Sequence, residues 1–175
     1  MTRGHPVAWP GRCVGYNPNL DGTSQLTDEQ WSGADLRQIA AQAALPFRSG
    51  LGEDRVTLNG PDVRLPPKTA IAVALAVHEL ATNALKYGAL STHAGSLKVS
   101  WAPIDKQGKT WLAVDWTEEG APARELPRRR GFGSDLIEGR IPYELGGKGK
   151  ISIGPGGARC HLEFPLKDGD SILAT

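Results

Sequence analysis

The chain reads as an α/β protein of the α+β kind: a two-layer sandwich whose mixed, mostly antiparallel sheet is covered on one face by about three helices. Three observations predict this. An Ala/Leu/Val-rich run from Lys68 to Tyr87 opens just after Pro66-Pro67 and stops at Gly88, which is the punctuation of one long helix. The later alternating segments come in pairs across short Gly-containing turns, as antiparallel hairpins do. The resulting order is helix, strand, helix, hairpin, loop, helix, hairpin, which is not the strict alternation of a doubly wound parallel sheet.

The elements follow in chain order. Residues 1–30 are rich in Gly, Pro and polar side chains without a period and read as a leader or flexible arm; residues 31–170 read as the folded domain. Ser32 with Asp35 resembles a capping box, and Leu36, Ile39, Ala40 and Ala43 make a helical apolar stripe up to Leu45-Pro46. Arg55 to Leu58 alternates as a short strand ended by Asn59-Gly60-Pro61. After the long helix, Leu97–Ile104 and Thr110–Thr117 alternate around Asp105-Lys106-Gln107-Gly108 as a hairpin. No period survives from Glu118 to Gly133, which predicts a functional loop. Ser134 to Arg140 reads as a helix that Pro142 ends or kinks. Lys150–Ile153 and Arg159–Phe164 flank Gly154-Pro155-Gly156-Gly157 as a second hairpin.

Composition excludes several functions. With 175 residues the chain fits one domain able to bury an ordinary core, and its net charge of +1 gives no broad case for nucleic acid or an anionic membrane. Cys13 and Cys160 lie far apart without metal-ligand spacing, so reduced thiols and a cytoplasmic setting are expected. No window is apolar and long enough to span a bilayer, and the first residues do not resemble a signal peptide. No direct membrane contact is expected.

Three segments carry chemistry. On the long helix Glu79 and Asn83 are four apart and Lys86 follows by three, so a carboxylate, an amide and an ammonium share one face of an otherwise apolar helix. Trp116-Thr117-Glu118-Glu119-Gly120 closes a strand with carboxylates, and a carboxylate there can accept a hydrogen bond from an exocyclic amine. Gly131-Phe132-Gly133-Ser134 places two glycines at a helix mouth, where backbone N–H groups and the helix dipole favour phosphate. There is no Walker A motif and no dinucleotide fingerprint.

In this order the segments resemble the N box and the two glycine boxes of the GHKL, or Bergerat, ATP-binding fold. More narrowly, His78-Glu79 through Ser91, Trp116-x-Glu118, and Gly131-Phe132-Gly133 followed by Tyr143-Glu144-Leu145-Gly146-Gly147 resemble the HWE subfamily of sensor histidine kinases. The resemblance runs from Trp31 to about Leu166. It implies ATP and Mg²⁺ as cofactors, with Asn83 on the metal and Glu79 beside it. Lys86 would reach phosphate oxygens and Tyr87 would wall the nucleotide. Glu118 falls where related kinases read adenine, Gly120 gives room for the base, and Gly131, Phe132, Gly133 and Ser134 form the phosphate corner. His78 receives no chemistry.

The chain departs from the wider superfamily in a Glu for the usual Asp and in lacking a second glycine after Gly120. Both are typical of the HWE group. Arg128-Arg129-Arg130 is either a solvated basic run or a phosphate contact across a short lid. None of His5, His78, His93 and His161 falls on a long amphipathic helix with a partner helix. The resemblance therefore implies a γ-phosphoryl transfer to a histidine on a separate dimerisation domain, with a response regulator downstream and this chain a monomer unable to phosphorylate itself. The alternatives are a non-catalytic nucleotide-binding regulatory module, or a GHKL ATPase or anti-sigma-type serine kinase.

Overall fold

The computed structural model describes residues 33–44, 55–123, 132–167 and 171–173. The leader, Ser32, Leu45-Pro46, Arg128 to Arg130 and Gly131 lie outside the described residues. The main sheet has five strands in the order β2-β4-β5-β7-β6: β2 (Val56–Asn59), β4 (Ser96–Lys106), β5 (Lys109–Glu119), β7 (Gly157–Pro165) and β6 (Lys148–Gly154). Only β2 runs parallel to its neighbour, β4; every other pairing is antiparallel. A second sheet, not foreseen in the sequence, orders β1 (Ala34–Asp35), β3 (Asp62–Leu65) and β8 (Ser171–Leu173) as β1-β3-β8.

Alternation sets the inner face. Leu97, Val99 and Trp101 on β4, Leu112, Val114 and Trp116 on β5, and Cys160, Leu162 and Phe164 on β7 are all buried under the helices. Helix α1 (Leu36–Ala44) supplies Leu36 and Ala40. Its start is capped by Asp35, whose carboxylate accepts the Arg37 N–H at 2.7 Å, so the cap is Asp35 itself. Helix α2 (Pro67–Lys86) buries Ala72, Val73, Ala76, Val77, Leu80, Ala81 and Ala84. The many alanines keep its buried face thin. Each Leu or Val so buried contributes about 1.5–3 kcal/mol.

The hairpin between β4 and β5 turns on Gln107 and Gly108, with φ of 55° and 75°, the two-positive-φ turn that matches strand twist. Both strands are longer than the alternation suggested, and Glu118 pairs with Leu97 inside the ladder rather than following it. Pro142 does not end the last helix. Phe132–Asp135 (α3) runs through a π-helical stretch, Leu136–Arg140, into α4 (Ile141–Leu145). Ile141 N–H donates to the Leu136 carbonyl, so the wider turn sits immediately before the proline that lacks a donor. Gly146, at φ 70°, caps the end.

On the outer sheet face His161 lies opposite Asp115, its Nδ1 2.7 Å from Asp115 Oδ1 and its Nε2 3.4 Å from Glu163 Oε2; Lys106 pairs with Glu163, and Lys150 is the cross-strand neighbour. The hydrogen bond to Asp115 holds the imidazole pKa above its ordinary 6.5. A pKa raised by folding stabilises the fold below the unfolded value, and that gain is lost as pH rises through the folded value. His161→Gln is therefore expected to lose about 0.5 kcal/mol at pH 5.5, a figure kept small by solvent screening, and almost nothing at pH 9. Urea unfolding at the two pH values checks this; an equal loss at both would remove the charge from the account.

Candidate functional site

The C-terminal turns of α2 and the start of α3 form one corner. Asn83 and Lys86 are exposed on α2 and Glu79 is half-buried one turn earlier. Among the described residues Asn83 has no side-chain hydrogen bond. A Cβ built on Gly133 would stand 3.3 Å from Asn83 Nδ2, so the polar helix face and the glycine corner meet. A side chain there would push the Asn83 amide aside by a few tenths of an ångström. Ser134 is half-buried on the next position, while Phe132 opens α3. Tyr87, 57% exposed, caps α2, donating its N–H to the Asn83 carbonyl at 2.8 Å.

Below this corner the chain folds into a 3₁₀ turn, Ala89–Ser91, and then runs to Gly95. Gly88 is required here for space. A Cβ on it would lie 2.1 Å from Glu118 Oε2 and 2.8 Å from Ala84 Cα. Gly120 has φ 77°, a conformation that favours glycine, and its Cβ position is 3.0 Å from Gly95 Cα. Glu118 is 2% exposed and faces the helices. Its Oε1 accepts from Trp116 Nε1 at 3.1 Å and its Oε2 from the Ala89 N–H at 3.0 Å. Each carboxylate oxygen has a second lone pair, so acceptor capacity remains for one further donor on each.

Sequence reasoning missed two residues of this region. Arg55, just before β2, donates from Nε to the Gly95 carbonyl at 2.6 Å and from Nη2 to the carbonyls of Ala89 and Thr92. The Thr92 hydroxyl lies 3.0 Å from the Gly120 carbonyl and accepts the Gly95 N–H at 3.0 Å. A lone Arg before a short strand and a lone Thr after a helix carry no signal at short range.

A three-helix layer on a mostly antiparallel five-stranded sheet is the architecture of the GHKL-type ATP-binding domains of histidine kinases. By fold and sequence the chain is similar to the ATP-binding catalytic part of histidine kinases. It is 37% identical over 155 residues to a blue-light-activated histidine kinase of Brucella anthropi, an alignment covering 86% of this chain and 31% of that protein. The protein of the same description from Brucella ovis is 36% identical over 155 residues, with 86% of this chain and 32% of the relative covered. The chain thus spans about a third of the length of these curated relatives. The histidine kinase domain of the Erythrobacter litoralis EL346 blue-light activated kinase superposes with a TM-score of 0.50 at 25% identity, over 73% of this chain and 61% of that one. The ATP-binding domain of PrrB from Mycobacterium tuberculosis shares the fold, with a TM-score of 0.52 at 20% identity over 77% of this chain and 96% of that domain. No protein-family model matches the chain.

Proposed function

We propose that this chain binds Mg-ATP and transfers the γ-phosphoryl group to a histidine carried by a separate dimerisation domain, as an HWE-type kinase in two-component signalling. The observation that carries the reading is the approach of Asn83 to Gly133. Asn83 presents an amide without a side-chain hydrogen bond among the described residues, its oxygen the hard donor type that Mg²⁺ takes, and Glu79 a carboxylate one turn away. Among the described residues no three His, Cys, Asp or Glu side chains cluster into a metal cage, so the donor set fits an ion held largely by phosphates and water. Bound there, the ion would neutralise charge on the β- and γ-phosphate oxygens.

The chain's own part is positioning. Lys86 meets phosphate oxygens, and the Gly133 amide in the first turn of α3 helps to cradle the phosphates. Tyr87 and Ser134 wall the site, and Glu118 with Gly120 form the base end. The bond from the γ-phosphorus to the bridging oxygen breaks as the partner's imidazole nitrogen bonds to phosphorus, and ADP leaves with the electron pair. A response regulator takes the phosphoryl group next. Among the described residues no helix is long and apolar enough to cross a membrane; we place the reaction in the cytoplasm, free of nucleic acid and of direct membrane contact.

The test is calorimetric titration with ATP, with and without Mg²⁺, followed by transfer to a supplied histidine-bearing helical hairpin. Metal-dependent binding and transfer are expected, and no stable phosphohistidine on the chain alone. Steady hydrolysis without an acceptor would replace the reading with an ATPase. Gly133→Val is expected to weaken ATP binding on the order of 30-fold without unfolding the domain, because the added methyls occupy the Asn83 gap. Unchanged affinity in that variant, measured the same way, would reduce Gly133 to a turn residue.

A further inference from the structure

Trp116 has a use that the proposed function leaves unassigned. On β5 residues two apart share a face, and Trp116 and Glu118 both point into the helical layer, 3% and 2% exposed. The indole N–H donates to one carboxylate oxygen at 3.1 Å, and the Ala89 N–H donates to the other at 3.0 Å. The slot around the carboxylate is tight. A Cβ on Gly88 would lie 2.1 Å from Oε2, and one on Gly157 would lie 2.6 Å from Glu118 Cβ. Among the described residues Glu118 forms no ion pair. A buried carboxylate in that position is held by its N–H donors, and losing one frees its orientation.

Ala89 stands two residues after Tyr87, the cap of the helix that carries Asn83. The chain of contacts therefore runs from an indole on the sheet, through a carboxylate, to the backbone that ends the Asn83 helix. We propose that Trp116 is a positioning residue of the nucleotide site. Its N–H orients the Glu118 carboxylate, which in turn fixes the Gly88-Ala89 turn and keeps the remaining lone pairs aimed to accept from the exocyclic amine of the base. Trp116 thereby sets ATP affinity and the preference for an amino over an oxo purine, and leaves the transfer step alone. This rests on the reading of the corner as an ATP site.

The experiment uses the full chain with Trp116→Phe, which keeps an aromatic ring and removes only the donor, together with Glu118→Gln and the double variant. ATP and GTP affinities are read by calorimetry, kcat and KM by transfer to a supplied histidine-bearing hairpin, and Ala89 amide protection by hydrogen exchange. For Trp116→Phe, ATP affinity is expected to fall about 10-fold and the ATP-to-GTP ratio with it, while kcat at saturating ATP holds within about twofold. Ala89 protection falls in parallel. The double variant should bind ATP no worse than Glu118→Gln, because Trp116 acts through that carboxylate. Losses that add in the double variant overturn the proposal. So does Ala89 protection unchanged in Trp116→Phe, a result readable without nucleotide and even if the wild-type chain fails to bind ATP, which would instead remove the proposed function.

Discussion

Asn83→Ala is expected to weaken Mg-ATP binding on the order of 100-fold, about 2.7 kcal/mol, while the domain keeps its fold. The two halves of that expectation have separate causes. Asn83 is exposed on α2 and has no intramolecular side-chain partner among the described residues, so its removal breaks no bond among them. Alanine is also the better helix former, and the change in stability should stay within about 0.5 kcal/mol. The affinity falls because the Asn83 amide group lies beside Gly133, its Nδ2 3.3 Å from that Cβ position, and alanine lacks the amide oxygen that a hard cation takes. Calorimetry with Mg²⁺ and a thermal melt read the two halves. An affinity within threefold of wild type would put the metal and phosphates somewhere other than the α2 face.

What could be read from the sequence was local. Helix α2 announced itself through Pro66-Pro67, an apolar run and Gly88, and the β4–β5 hairpin through alternation around Gln107-Gly108. The second sheet could not be seen, because its strands are short and their partners distant: Val63 pairs with Ile172. Pro142 does not end the helix because the π-helical turn before it absorbs the missing donor, a feature of register that no single residue shows. The burial of Glu118 was hidden for a different reason. A Glu at the end of a strand reads as solvated, and the slot that buries it is cleared by Gly88 and Gly157 from elsewhere in the chain. The corner itself was anticipated through the order of the motifs, and the approach of Asn83 to Gly133 gives that order a geometry.

Arg55→Met is expected to cost about 2–4 kcal/mol of stability, the largest loss of fold among these substitutions. One guanidinium donates to three backbone carbonyls of the stretch after α2: Gly95 at 2.6 Å, Ala89 at 3.3 Å, and Thr92. Methionine matches its length and supplies no donor, so those carbonyls lose their charged partner. The loss is less than the sum of three charged hydrogen bonds for two reasons. Ala89 O keeps a contact from the Thr92 hydroxyl at 3.1 Å, and Nη1 is buried without a partner among the described residues, a cost that methionine relieves. Arg55→Lys should recover only part of the loss, since an ammonium cannot reach three acceptors with the spread of the planar fork. The same turn is held from the other side by Glu118 through the Ala89 N–H. Stability and ATP affinity should therefore fall together in Arg55→Met, followed by urea unfolding and calorimetry. A variant within 0.5 kcal/mol of wild type would mean that Glu118 and Thr92 secure the turn alone.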